Sequence, residues 1–252
     1  MRTMNPALNE STFEKADWAP PVGQPHAVKV MTFSGTLSAT AVLLALLAVG
    51  AVFGWNSVTQ NEVSTSLPGW LIFAVLGGFG VAILTIFKPH LARFTAPLYA
   101  GVEGLVLGAI SAVYNFAFEG IVLQAVGLTA GVLALMIFLY TSRIVQVTDK
   151  LRMGIVAATG AIALMYLVTM VIGFFGGGVP FIHDSGTFGI IFSLAVVGVA
   201  AFNLMLDFDL IEKGVNAGAP RYMEWYAAFG IMVTLVWLYL EMLRLLAKLR
   251  DR

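Results

Sequence analysis

Seven apolar runs separated by short polar linkers set the pattern of this chain: residues 30–54, 69–87, 97–118, 121–140, 153–176, 186–211 and 224–248. Each can supply the roughly 20 residues of helix that cross a bilayer, and none alternates polar and apolar residues as a half-buried strand does. The pattern predicts an all-α polytopic membrane protein with seven transmembrane helices. Residues 1–29 differ. They are polar, contain Pro6, Pro20, Pro21 and Pro25, and carry Glu10, Glu14 and Asp17. The run after them is too long for the core of a signal peptide. We read 1–29 as a cytosolic tail, expected to be mobile, and 30–249 as the transmembrane domain.

The linkers differ in charge. The second (88–96) holds Lys88 and Arg93, the fourth (141–152) holds Arg143, Lys150 and Arg152, and the sixth holds Lys213 and Arg221. The first, third and fifth contain Glu62, Glu119 and Asp184 and no lysine or arginine. Basic loops stay on the cytosolic side, so the even linkers and the N-terminus are expected inside. The end of the chain breaks this order. Seven crossings place it outside, yet it reads RLLAKLRDR, with Arg244, Lys248, Arg250 and Arg252. Seven crossings is the expectation, and a re-entrant last segment is the alternative.

Composition narrows the function. Of 252 residues, 59% are hydrophobic and 11% charged. Soluble domains carry about 25% charged residues. The formal net charge is zero, and no basic patch points to nucleic acid. There is no cysteine, which removes disulfide, thiol and cysteine–zinc chemistry. His26, His90 and His183 fall outside the apolar runs, with no clustering at helical spacing for zinc. No nucleophile–base constellation appears, so the chain is not expected to be an enzyme, and no cofactor is expected. Trp55, Trp70, Trp225 and Tyr226 sit where an interfacial aromatic belt belongs. Gly104 and Gly108, like Gly127 and Gly131, form small-xxx-small pairs that let helices approach closely. Gly176, Gly177 and Gly178 before Pro180 read as the end of the fifth helix and a turn.

Against this background a few acids stand out, because a carboxylate at membrane depth is costly and usually faces a cavity, a partner or an ion path. Asp207 and Asp209 lie near the end of the sixth run. If that helix ends near Glu212, Asp207 is about 8 Å inside it. Two residues apart, Asp207 and Asp209 point about 200° from each other, so both are not expected to face one cavity. Glu103 on the third run lies at nearly the same depth, about 9 Å, which permits a polar site shared with Asp207. Glu241 sits in the last run, with Arg244 three residues on and on the same helical face. That places it either in a local ion pair or facing the interior as a titratable acid. Two acids sharing a poorly hydrated pocket cannot both ionise cheaply; they share a proton or bind a cation, and their oxygens suit Ca²⁺.

The stretches LMLDFDLIEKG and WLYLEMLRLLAKL resemble the sixth- and last-helix patterns of Bax inhibitor family proteins, also called the transmembrane Bax inhibitor motif family. PLYAGVEGLVLGAIS and GIVLQAVGLTAGVLALMIFLYT resemble that family's third and fourth helices, so the likeness covers roughly 30–249 and has a bacterial flavour. The resemblance implies a seven-helix fold with the last helix central and a pH-sensitive Ca²⁺ leak across the bacterial plasma (inner) membrane. It implies that Asp207 and Glu241 sense protons and face the ion, with Ca²⁺ the transported species. Three departures accompany it. Glu241 stands where the family usually has aspartate. The interval from Asp207 is longer. No base occurs on the second run before Lys88, which leaves Lys88 and Arg93 as candidate partners besides Arg244. A different class of function is a non-conducting protein that binds and modulates a membrane protease or another integral partner.

Overall fold

A computed structural model describes residues 30–60, 65–174 and 186–252. The tail 1–29, the glycine turn before Pro180 and the linker with His183 and Asp184 lie outside the described residues. Among those described there are seven α-helices: α1 (Phe33–Asn56), α2 (Leu71–Phe87), α3 (Ala92–Ala117), α4 (Ile121–Thr141), α5 (Asp149–Phe174), α6 (Thr187–Asn216) and α7 (Met223–Arg250). Between α1 and α2, Thr59–Gln60 pairs antiparallel with Thr65–Ser66, and a 3-10 turn, Pro89–Leu91, leads into α3. The all-α expectation holds. Six helices are long and apolar enough to cross a membrane. α2 has 17 residues, about 25 Å of helix, at the short end of what spans a bilayer.

The helices are apolar almost all round, and large side chains such as Phe73, Phe79, Leu123 and Phe188 are exposed. That surface suits lipid rather than water. α7 is the most enclosed: 67% of its apolar window is buried, against 11% for α5.

Several helices begin earlier or end later than the apolar runs. α3 starts at Ala92 and carries Pro97 inside it. α5 starts at Asp149, so Arg152, counted as a linker charge, is helical and buried. α6 continues to Asn216, placing Asp207 about 14 Å from its end rather than 8 Å. Polar residues extend a helix beyond the apolar stretch because the backbone ladder does not require apolar side chains. α7 runs unbroken to Arg250, with no re-entrant turn.

The chain packs as two compact units. The first comprises the described residues through Ala117 together with Asp209–Val233. There α1 and α3 meet backbone to backbone. A methyl built on Gly108 would fall on the Ala51 carbonyl oxygen and 2.7 Å from Ala51 Cα. One on Gly54 would lie 2.9 Å from Leu105 Cα, and one on Gly104 3.0 Å from Gly50 Cα. Gly50 thus answers Gly104, while Gly54 and Gly108 admit the backbone of Leu105 and Ala51. Gly127 and Gly131 on α4, spaced identically, have nothing near them. Tyr226 is buried in the first turn of α7 rather than serving an interfacial belt. The start of α1 is tied to the α6–α7 linker: Val30 bridges Pro220, and Met31 N–H donates to the Ala219 carbonyl at 2.6 Å. Thr32, the N-cap of α1, donates from its N–H (3.0 Å) and its hydroxyl (2.9 Å) to Glu224 Oε1. That buried carboxylate satisfies a helix N-terminus, and Gly35 leaves room for it, since any Cβ there would strike its oxygens.

The second unit comprises Phe118–Phe208 and Thr234–Arg252, so α6 and α7 each contribute to both units. α4, α5, the first two-thirds of α6 and the last part of α7 build it.

Candidate functional site

Within the second unit one face of α7 is polar. Thr234, Trp237, Glu241, Arg244 and Lys248 recur at intervals of three and four residues, which aligns them along a single stripe. Fourteen residues separate the first from the last, about 21 Å of a hydrocarbon core about 30 Å thick. α5 and α6 supply the partners. Asp207 on α6 accepts from the Thr234 hydroxyl through Oδ2 at 2.6 Å. Asn203, one turn earlier on α6, donates from Nδ2 to Thr159 Oγ1 on α5 at 2.8 Å. Lys248 Nζ donates to Ser193 Oγ at 2.9 Å and to the Gly189 carbonyl at 3.1 Å. The registers agree: Thr159 and Tyr166 on α5 are spaced as Thr234 and Glu241 are on α7. The result is a column of polar layers between apolar walls.

Glu241 occupies the middle layer and is 1% exposed. Its Oε1 accepts from Arg244 Nη1 at 2.7 Å, from the Tyr166 hydroxyl at 2.9 Å and from Trp237 Nε1 at 3.3 Å. Arg244 Nη1 also donates to the Tyr166 oxygen at 2.7 Å, and the guanidinium carbon lies 5.0 Å from the Tyr166 ring centroid, a cation–π placement. Oε2 of Glu241 is buried with no hydrogen-bond partner. A buried carboxyl oxygen in that state is costly, and a proton or a cation would satisfy it.

Asp207 is equally enclosed, at 1% exposed. It engages α7 at Thr234, seven residues before Glu241, about 10 Å along the helix axis. The two acids therefore occupy adjacent layers of one column rather than a single rung. Asp209 belongs to the first unit and pairs with Lys213 at 3.0 Å. Glu103, also in the first unit and half-buried, hydrogen-bonds the Tyr99 hydroxyl one turn back on α3, with Gly78 of α2 beside its carboxylate. Lys88 and Arg93 are exposed around the α2–α3 turn. Arg244, of the three candidate bases, is the one bonded to a buried acid in the column. Among the described residues no group of three or more His, Cys, Asp or Glu side chains is placed to hold a metal ion. Oxygen ligands for a cation in the column would come from Glu241 Oε2 and its neighbours.

The acids were recognisable as misplaced charges. Thr159, Tyr166, Asn203 and Thr234 were not singled out, although the seven-residue spacing of Thr234, Glu241 and Lys248 within an apolar run is a signal for such a face. The terminal bases are also accounted for. Arg250 donates to the Glu119 carbonyl (2.7 Å) and to Gln124 Oε1 (3.0 Å), and Arg252 to Thr187 Oγ1 (3.2 Å). The C-terminal end of α7 therefore lies with the α3–α4 linker and the start of α6.

The model of the Bax inhibitor 1-like family matches residues 5–251, nearly the whole chain. The chain belongs to the Bax inhibitor 1-like family. No curated protein and no solved structure matches it.

Proposed function

We propose that this Bax inhibitor 1-like protein passes cations, Ca²⁺ foremost, across the bacterial plasma membrane under the control of protonation at buried carboxylates. The observation that carries the reading is Glu241: fully enclosed, with one oxygen triply bonded and the other bare, midway along a polar column. An ionised Glu241 holds Arg244 and offers Oε2 to a cation. A protonated Glu241 loses the charge that binds Arg244, and the column's hydrogen bonds re-sort. Asp207 and Thr234 form the next layer of the path. Basic linkers put the N-terminus in the cytosol. The bases closing α7 then face outward, held by the ends of α4 and α6. In proteoliposomes the purified protein should carry Ca²⁺ above the level of empty vesicles, and Asp207→Asn and Glu241→Gln should each change that flux. Flux and pH response identical in all three proteins would end this reading.

A second reading, a helper that docks on another membrane protein such as a protease, is favoured by one feature. Gly127 and Gly131 open a flat face on α4 with room for another helix. Capture of a defined integral partner from native membranes, lost in Gly127→Leu, together with absent ion flux, would select it.

A further inference from the structure

We propose that Glu103 is a proton-binding site of the first unit: a carboxyl near mid-bilayer that carries a proton at neutral pH and lies open to lipid beside α2. The site belongs to the first unit alone and does not depend on cation passage through the column of the second.

Depth sets the cost of a charge there. Glu103 stands eleven residues past Ala92, the start of the 26-residue helix α3. That is about 16 Å from one end of the helix and about 21 Å from the other, inside a hydrocarbon core about 30 Å thick. An ionised carboxyl at that level needs a counter-charge or a full set of donors. Other acids of these helices have one. Glu241 has Arg244, and Asp209 has Lys213. Glu224 has both Thr32 donors and Arg221 at 3.6 Å. Glu103 has the Tyr99 hydroxyl, one donor for about four lone-pair sites.

The elements around Glu103 hold no base that could neutralise it. α1 and α2, which pack on α3, contain no charged residue. α7 meets α3 where the Phe229 ring packs edge-on against Tyr99 at 5.1 Å. Its stretch within this unit, Met223–Val233, holds Glu224 and Tyr226 and no lysine or arginine. Arg93 and Lys88 are exposed around the α2–α3 turn, and Arg93 is about 15 Å along α3 from Glu103. Among the described residues no base pairs with Glu103. Neutrality therefore comes from the medium, and a proton is the ligand that leaves no charge in hydrocarbon.

The carboxyl is also within reach. Glu103 is half-buried. Its Oε2 lies beside Gly78 of α2, where a Cβ would stand 3.8 Å away. A Cβ on Gly77 or Gly80 would meet nothing within 4 Å, so this stretch of α2 is thin. The large side chains around it, Phe73, Leu76 and Phe79, are exposed and apolar, which suits acyl chains rather than water. Tyr99, buried and braced by Phe229, fixes the direction of the carboxyl from the other side.

The test is labelling with dicyclohexylcarbodiimide, which partitions into hydrocarbon and adds to protonated carboxyls. The acid proton passes to a reagent nitrogen, the carboxyl oxygen bonds the central carbon, and the adduct rearranges to a stable N-acylurea that retains the whole reagent. In proteoliposomes at neutral pH, peptide mass spectrometry should find the adduct on Glu103, while a water-soluble carbodiimide leaves that residue unmodified. No adduct on Glu103, or an adduct formed by the water-soluble reagent alone, overturns the proposal. Suppression of the adduct by Ca²⁺ at constant pH also overturns it, by making the ligand a metal cation. Infrared spectroscopy reads the proton without a reagent. The carbonyl band of a protonated carboxyl should be present in wild type at neutral pH, lose intensity in Glu103→Gln, and move to higher wavenumber in Tyr99→Phe, which lacks the donor. Equal bands in wild type and Glu103→Gln overturn the proposal. If Glu103→Gln does not yield folded protein, the wild-type adduct and the Tyr99→Phe band decide: an unmoved band overturns the pairing of Tyr99 with a protonated Glu103.

Discussion

One glycine on α3 and one on α4, each a member of a pair spaced four residues apart, should respond oppositely to the same methyl group. In Gly108→Ala the new Cβ would lie 2.7 Å from Ala51 Cα and against the Ala51 carbonyl oxygen. Both are backbone atoms of α1, so no rotamer change relieves the overlap. The helices must separate by about 1 Å or more to restore van der Waals distance to that oxygen, and overpacking of this kind costs about 1–3 kcal/mol. In Gly127→Ala nothing lies within 4 Å of the new atom. The exchange there should be neutral or stabilise by up to about 1 kcal/mol through helix propensity. With about 2–4 °C per kcal/mol for a chain of this size, Gly108→Ala should lower the unfolding midpoint by roughly 2–12 °C, while Gly127→Ala leaves or raises it. The assay is thermal unfolding of purified protein in detergent, followed by intrinsic fluorescence. Equal midpoints for Gly108→Ala and wild type would refute the close packing of α1 on α3.

Thr234→Val, nearly isosteric, removes the 2.6 Å donor to buried Asp207, and thermal unfolding should show a loss of about 1–3 kcal/mol. Glu224→Ala takes the acceptor from both Thr32 groups at the start of α1; the same assay should report about 1–2 kcal/mol, with Glu224→Gln milder because it keeps an oxygen. Because the chain has no cysteine, single cysteines can report its sidedness. Glu119→Cys and Arg252→Cys should react with an impermeant maleimide from one face of the membrane and Lys150→Cys from the other; labelling of residues 119 and 252 from opposite faces would contradict the contacts of Arg250.

Much of this fold is legible in the apolar runs, because a 20-residue hydrophobic stretch has few alternatives to a spanning helix. The helix ends were not legible. Hydrophobicity marks where the chain crosses lipid, while the helical ladder continues through charged residues at 149–152 and 212–216. The matching glycine spacings of α3 and α4 show a second limit. Gly104 and Gly108 meet the α1 backbone at Gly50 and Ala51, whereas Gly127 and Gly131 meet nothing, and the spacing within a single helix does not say which. The site divides the same way. Asp207 and Glu241 announce themselves as charges in apolar surroundings. Their neutral partners, Thr234 and Tyr166, are ordinary residues of membrane helices, and they become informative only once the register between α5, α6 and α7 places them opposite an acid. Lys248 and Arg250 at the basic C-terminus are bonded to the ends of neighbouring helices, a tertiary use that a loop-counting rule does not weigh.

The central claim is that Glu241 couples proton binding to ion passage. Ca²⁺ flux into proteoliposomes, measured across a series of external pH values for wild type and Glu241→Gln side by side, tests it most directly. The account predicts a flux that varies with pH in wild type and a flat profile in the variant. A variant that keeps the full wild-type pH response would contradict it.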